Sequence, residues 1–292
     1  MTDPGRLPLV PADWLAEHLR DAELRIVHVS PDRSVFDERH IPGAVFGDLH
    51  TELAERGRAA ETGDAEREYL VPSREALSAT LARWGVGPGD RIVFYDDVGW
   101  NRHAVRGYWL LRYYRWPADH LHVLDGGLAA WEASGAMTSA AEEPSKLVER
   151  VDLPEPDAGL IATAEQVLTW SAGAAAGGGG GPVRILDVRT PEEYRGEDVR
   201  AVRGGHIPGA VNLPFDAFLA DDGRFRPAAE IHRLADEAAA GDASSIRATY
   251  CQGGIRAALS WFALSELAGL PDVRNYAGSW EEWGNRSDTP IE

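Results

Sequence analysis

The only cysteine in the chain, Cys251, stands in the run TYCQGGIRAALSWF (residues 249–262), where an apolar strand-like stretch meets a helix-like one. The loop CQGGIR offers five main-chain N–H groups after the thiol, two glycines free to take positive φ, and an arginine at its end. Amides wrapped around a sulfur, with the positive end of a helix dipole behind them, favour thiolate over thiol. A free thiol titrates near ~8.5 and a helix N-terminus depresses that value, which makes a nucleophile at neutral pH without a histidine base. The same cradle suits a second sulfur carried on the first, or the oxygens of an attacking anion. Gln252, Gly253, Gly254 and Ile255 are therefore candidate binding residues beside the candidate nucleophile Cys251, with Arg256 a cation at the rim. The alternative is a buried structural cysteine; the strand end, the double glycine and the following helix argue against it.

Those elements need a scaffold, and the bulk numbers bound it. At 292 residues the chain is long enough for two domains, each with its own core. With 44% hydrophobic and 26% charged residues it reads as an ordinary soluble globular protein. No apolar run reaches the ~18–20 residues a bilayer requires, and the start MTDPGRLPLVPADW lacks a signal-peptide core, so a cytoplasmic protein with no membrane contact is expected. One cysteine can form neither an internal disulfide nor a thiolate cluster for zinc, so no metal is expected. A formal charge of −18 argues against nucleic acid and gives no long-range steering to an anionic substrate, which must be captured locally.

The chain repeats itself. ERHIPGAVFGDL at 38–49 returns as GGHIPGAVNLPF at 204–215, RIVHVSPDRSVF (25–36) as RILDVRTPEEY (184–194), RIVFYDD (91–97) as IRATYCQ (246–252), and HVLDGGLAAW (122–131) as RNYAGSWEEW (274–283). Four matches in one order mean a duplicated domain. The pairing sets Asp96 opposite Cys251, and the first copy is longer between its HIPGA and this position. The extra residues fall in HTELAERGRAAETGDAEREYLVP, read as a longer polar surface loop. The expected domains are 1–140 and 160–292, joined by a proline-bearing charged linker at 141–159, and SAGAAAGGGGG (171–181) is read as a flexible surface loop. Short apolar runs alternate with helix-like stretches in both copies, which implies α/β domains, each a mainly parallel sheet with helices on both faces and its site at the carboxyl ends of the strands. AALSWFALSELAG is apolar nearly all round, as a buried helix is, with Gly269 as its stop.

The loop Cys251–Arg256, HIPGA in both halves, DVR at 187–189, YAGSWEEWGN and DTPIE together resemble the two-domain rhodaneses, the thiosulfate and 3-mercaptopyruvate sulfurtransferases. The resemblance runs from about residue 7 to the end of the chain. It implies two tandem rhodanese-like domains, the second catalytic and the first a silent copy that helps close the cleft; an aspartate at 96 cannot carry a persulfide. It also implies a transfer in two halves: the Cys251 thiolate takes the outer sulfur of a small anionic donor, and a thiol or cyanide acceptor removes it from the persulfide. No organic cofactor is needed, because the sulfur rides on the enzyme. A cysteine-arginine phosphatase, related in fold, needs one more residue between cysteine and arginine than the four from Gln252 to Ile255. A persulfide carrier or regulatory binding module stays open as a reading of another class.

Thiosulfate is favoured over 3-mercaptopyruvate as the donor, because the loop ends in arginine rather than following the mercaptopyruvate type CGSGVT. Where the family places an anion-gripping arginine, this chain has Glu193, and Arg189, Arg195, Arg200 and Arg203 lie nearby as substitutes, with Arg203 preferred. Asp187 is expected to accept loop N–H groups or to orient an arginine. His40 and His206 read as parts of a structural turn, Trp280 and Trp283 as cleft walls or core, and Arg102 or Arg106 as added positive charge.

Overall fold

The computed structural model describes residues 7–58, 66–141, 146–175 and 183–292. In chain order its elements are β1 (Leu9–Val10), α1 (Ala12–His18), β2 (Leu24–Ser30), α2 (Ser34–Glu38), β3 (Ala44–Asp48), β4 (Glu55–Arg58), β5 (Glu66–Leu70), α3 (Arg74–Arg83), β6 (Arg91–Tyr95), α4 (Arg102–Tyr113), β7 (Leu121–Leu124) and α5 (Gly127–Ala133). There follow α6 (Ala164–Ala175), β8 (Arg184–Asp187), α7 (Pro191–Tyr194), β9 (Val211–Asn212), α8 (Ala228–Ala238), β10 (Ile246–Tyr250), α9 (Ile255–Trp261), β11 (Arg274–Asn275) and α10 (Ser279–Trp283).

The chain forms two compact units. One comprises Met1–Glu55, Val71–Asp157 and Asp221–Phe225; the other comprises Arg56–Leu70, Ala158–Ala220 and Arg226–Glu292. The first holds a five-stranded sheet in the order β1-β7-β6-β2-β3, with every pair parallel. The second holds a four-stranded parallel sheet in the order β11-β10-β8-β9. Both sheets are flanked by helices, the α/β arrangement expected. The strands read as near-continuous apolar runs because both faces are covered: all but one residue of β2, LRIVHVS, are buried.

The duplication holds at the level of single hydrogen bonds. In the first unit the Ile41 N–H donates to the Tyr95 hydroxyl, and in the second the Ile207 N–H donates to the Tyr250 hydroxyl, both at 3.1 Å. The HIPGA turn is thus pinned to the end of the central strand in each copy. Its histidine is structural in both: His40 Nδ1 bonds the Phe36 carbonyl and His206 Nδ1 bonds the Tyr194 carbonyl, each ring stacked on the aromatic concerned. Where the first sheet has β1 beside β7, the second has a lone parallel bridge from Ile161 to Asn275.

Three segments depart from expectation. The polar stretch at 50–72 is not a plain loop: β4 and β5 pair within it and group with the second unit, residues 59–65 lying outside the described ones. Polar strands were illegible as strands because their pairing, not their own apolar pattern, fixes them. Within the expected linker, residues up to Asp157 group with the first unit, where Val151 is buried and the Asp157 N–H donates to the Tyr113 carbonyl; residues 142–145 lie outside the described ones. The expected loop from 171 begins as helix, since α6 continues through Ser-Ala-Gly-Ala-Ala to Ala175, residues with no bulk to oppose it; 176–181 lie outside the described residues.

Tyr95→Phe removes the acceptor of a buried N–H and is expected to cost about 1–3 kcal/mol, read as a lower urea midpoint with unchanged slope.

Candidate active site

Strand β10 ends at Tyr250, and Cys251 is the next residue, at the carboxyl edge of the second sheet. The carbonyl of Cys251 accepts from the Trp280 N–H at 2.9 Å, and its own N–H donates to Ser279 Oγ at 3.1 Å. Gly254 then turns left-handed with φ +85°, caps α9, and aims its N–H at the Cys251 sulfur, 3.1 Å away. A Cβ at 254 would fall 2.8 Å from the Ala277 carbonyl oxygen, so no other residue fits this turn. Asn275 Nδ2 holds the Gly254 carbonyl at 3.1 Å. The cradle is narrower than the five amides of the loop suggest: among the described residues, the Gly254 amide is the one that donates to the sulfur. Cys251 itself is 2% exposed. Ile255 is the first residue of α9, which continues through a π-helical segment, Phe262–Leu267, to Gly269, left-handed at φ +73°.

The charged candidates sort differently from expectation. Arg256 is not a free cation at the rim. Its guanidinium makes a two-pronged pair with Glu193, at 2.6 and 2.8 Å, and Glu193 is 1% exposed. Burial alone pushes the Glu193 carboxyl up, but the Arg256 hydrogen bonds, with Arg200 beyond them, outweigh it and hold the group below the usual carboxylate range. The same carboxylate completes a capping box with Thr190 at the head of α7. Asp187 does orient an arginine: both its oxygens bond Arg189, and one also receives the Tyr250 hydroxyl at 2.5 Å; among the described residues it takes no amide of the Cys251 loop. Arg189 is 1% exposed, lies over the Trp280 ring and bonds the Gly205 carbonyl. Arg203, the preferred donor-binding arginine, is spent on carbonyls of Trp283, Gly284, Arg286 and Thr289. Arg195 pairs with Glu197 on the surface. Trp280 and Trp283 belong to the buried core, not to a cleft wall.

Beside the loop opens a cleft of about 770 Å³ within the second unit, lined among others by Arg56, Arg67, Tyr69, Arg200, Gln252 and Glu281. Two buried oxygens there, Gln252 Oε1 and Glu281 Oε2, have no partner among the described residues. Of the cations named from the sequence, Arg200 alone reaches this cleft. Arg56, Arg67 and Tyr69 were missed because they come from the polar ribbon β4–β5, far from Cys251 in the chain.

The rhodanese-like domain matches this chain at residues 11–134 and again at 174–286. The chain belongs to the rhodanese-like family. Across its whole length this chain is 34% identical to a protein of Haloferax volcanii named putative thiosulfate sulfurtransferase, of which it covers 98%. It is 32% identical over 97% of its length to the sulfur carrier protein TtuD of Thermus thermophilus, covering 95% of it. Its fold superposes on the crystal structure of SseA from Escherichia coli, described with the rhodanese fold of 3-mercaptopyruvate sulfotransferases, with a TM-score of 0.72 and 26% identity, over 94% of this chain and 99% of that one.

The two rhodanese-like copies differ at the strand end. After β6 the chain turns through Asp96–Asn101 before α4 begins, a longer path than Cys251–Gly254. The Asp96 carboxylate takes the His103 and Ala104 N–H groups for itself, at 3.0 and 3.3 Å, so the first copy fills its own helix head with a built-in anion. Burial, the main cause, pushes the Asp96 carboxyl up to about 6. Arg106 is wholly buried and donates to the Leu53 carbonyl, and Arg102 leans on His103. Ser279 stands where copy one has Gly127, and like Gly127 it is left-handed, at φ +52°. Its hydroxyl, held by the Tyr276 carbonyl, is what receives the Cys251 N–H. The repeat alignment already sets this serine against a glycine, which was the available signal for it.

Glu193→Gln leaves the Arg256 guanidinium half-paired at a site of low exposure and is expected to lower stability by about 3 kcal/mol at pH 7, read by thermal or urea unfolding. The group's folded value is depressed, so the wild-type advantage is present above about 4.3, its unfolded value, and disappears as pH falls through the lower folded value. A gap between the proteins that stays constant down to acid pH contradicts this.

Proposed function

We propose that this chain is a sulfurtransferase that takes the sulfane sulfur of thiosulfate onto Cys251 and passes it to a thiophilic acceptor, cyanide or a thiol. The observation that carries the proposal is the Gly254 N–H aimed at the Cys251 sulfur at the head of α9. An N–H donor is accepted more strongly by an anionic sulfur than by a neutral one. In the first half, a lone pair of the Cys251 thiolate attacks the outer sulfur of thiosulfate; the donor's S–S bond breaks and its electron pair leaves with sulfite. The enzyme is left as a Cys251 persulfide anion. In the second half, cyanide attacks the outer sulfur, thiocyanate departs, and Cys251 returns as thiolate, so charge and electrons balance without a cofactor or metal. Gln252, Gly253 and Ile255 shape the loop, Arg256 braces it through Glu193, and Asp187 with Arg189 braces the strand end behind it.

Thiosulfate is favoured by the similarity to the Haloferax volcanii protein named putative thiosulfate sulfurtransferase. The likeness to the Escherichia coli 3-mercaptopyruvate enzyme supports the other donor, from which pyruvate would leave instead of sulfite. The likeness to the Thermus thermophilus sulfur carrier supports a persulfide handed to a protein partner. A sole thiol that must stay reduced suits the cytoplasm.

Steady formation of thiocyanate from thiosulfate and cyanide is expected, with kcat/KM at least several times that for 3-mercaptopyruvate, and Cys251→Ser is expected to abolish it while leaving the fold intact. Turnover retained in Cys251→Ser contradicts the assignment of Cys251. A reversed donor ratio selects 3-mercaptopyruvate, and one stoichiometric burst without turnover selects the carrier.

A further inference from the structure

The residues that lengthen the first copy include one that packs on the Cys251 loop of the second. Contacts with Ala277, Glu281 and Glu282 hold β5 beside the Cys251 loop. The Glu68 N–H donates to Glu281 Oε1 at 2.9 Å; Arg67 lies 3.7 Å from the Glu282 carboxylate, both side chains under a tenth exposed; and the Arg67 guanidinium reaches the Ala277 carbonyl at 3.4 Å. Glu281 in turn donates its own N–H to the Gln252 carbonyl at 2.8 Å, so ribbon and loop share one anchor. Between these anchors the Tyr69 side chain packs against Gly253: a Cβ built there would stand 2.6 Å from Tyr69 Cδ2, 3.3 Å from Cγ and 3.4 Å from Cβ. Unlike Gly254, Gly253 has no positive φ to demand glycine. What excludes a side chain at 253 is the aromatic ring above it. Burial, with the Glu68 and Glu281 carboxylates after it, raises the Tyr69 phenol.

We propose that Tyr69 is a positioning residue that caps the outer face of the Cys251 loop and sets which molecules reach the sulfur, admitting compact anions such as thiosulfate and excluding donors with an aryl or similarly bulky group beside the transferable sulfur. The donor preference rests on the sulfurtransferase reading; the capping does not. Two observations support the cap together: the low exposure of Cys251 despite its place at a strand end, and the space above Gly253 being filled by a side chain from a distant part of the chain.

Because Cys251 is the sole cysteine, alkylation of the full chain reports on one atom. The rates of modification by iodoacetamide and by the bulkier N-phenylmaleimide are to be followed by mass spectrometry in wild type, Tyr69→Phe, Tyr69→Ala, Gly253→Ala and the Tyr69→Ala/Gly253→Ala double variant. Tyr69→Ala is expected to speed N-phenylmaleimide by about tenfold or more and iodoacetamide by less, whereas Tyr69→Phe, which keeps the ring, stays within about twofold of wild type. Gly253→Ala displaces the ring and is expected to speed the reaction too, but to add nothing in the Tyr69→Ala background. With transfer as the readout, Tyr69→Ala is expected to lower the ratio of kcat/KM for thiosulfate over benzenethiosulfonate by about fivefold or more. Alkylation rates within about twofold of wild type in Tyr69→Ala overturn the cap. An unchanged donor ratio overturns the specificity role, and a wild-type protein that transfers no sulfur at all removes the sulfurtransferase reading while the alkylation comparison still decides the cap.

Discussion

The account depends on one turn: a left-handed glycine at 254 that reverses the chain after β10, starts α9 and points its amide back at the Cys251 sulfur. Four hydrogen bonds of the second unit hold the loop at that turn in place. Asn275 grips the Gly254 carbonyl, the Trp280 and Glu281 amides grip the carbonyls of Cys251 and Gln252, and Ser279 accepts the Cys251 N–H from a left-handed conformation that a side chain adopts only under constraint. Every one of these partners comes from β11, α10 or the turn between them. The segment YAGSWEEW therefore acts as a second wall of the loop, and its pairing with HVLDGGLAAW in the first copy shows how it was derived.

The buried arginines of the second unit are fixed by internal partners, and Arg256 stays within electrostatic reach of Cys251. Arg256, Arg189 and Arg203 are each saturated by acceptors inside the unit: a carboxylate, a carboxylate with a carbonyl, and a set of carbonyls. Such buried pairs stiffen the frame more than they stabilise it, since desolvation offsets much of the attraction. The arginines with access to the cleft, Arg56, Arg67 and Arg200, lie on the ribbon and on the loop after α7. Each of them faces a carboxylate, that of Glu68, Glu282 and Asp198 respectively.

Much of the fold was legible in the sequence. The twin HIPGA turns, the apolar strand runs and the order of the four repeated blocks identify a duplicated parallel α/β domain, because burial on both faces and pinned turns leave a strong local pattern. The position of Cys251 after its strand was legible for the same reason. The roles of the arginines were not, because each is decided by a partner remote in the chain: Glu193 for Arg256, the carbonyls near the carboxyl end for Arg203. Glu193 was visible as a departure from the family pattern, and the structure gives the departure a physical sense, since the glutamate pairs with the loop arginine and caps α7. The ribbon carrying Tyr69 had no apolar signature, and only the extra length of the first copy hinted that the insertion mattered.

The first unit shows what happens when the same strand end receives a carboxylate. Asp96 accepts the His103 and Ala104 amides at the head of α4, which places a carboxylate where the second unit has the Cys251 sulfur. The central claim is that the second unit, at the equivalent point, holds a sulfur that can carry another. The most direct measurement is the mass of the intact chain and of its Cys251 peptide after incubation with thiosulfate and removal of small molecules. The account predicts a gain of one sulfur atom, confined to that peptide and reversed by cyanide; an unchanged mass, or a gain that cyanide cannot remove, would contradict it.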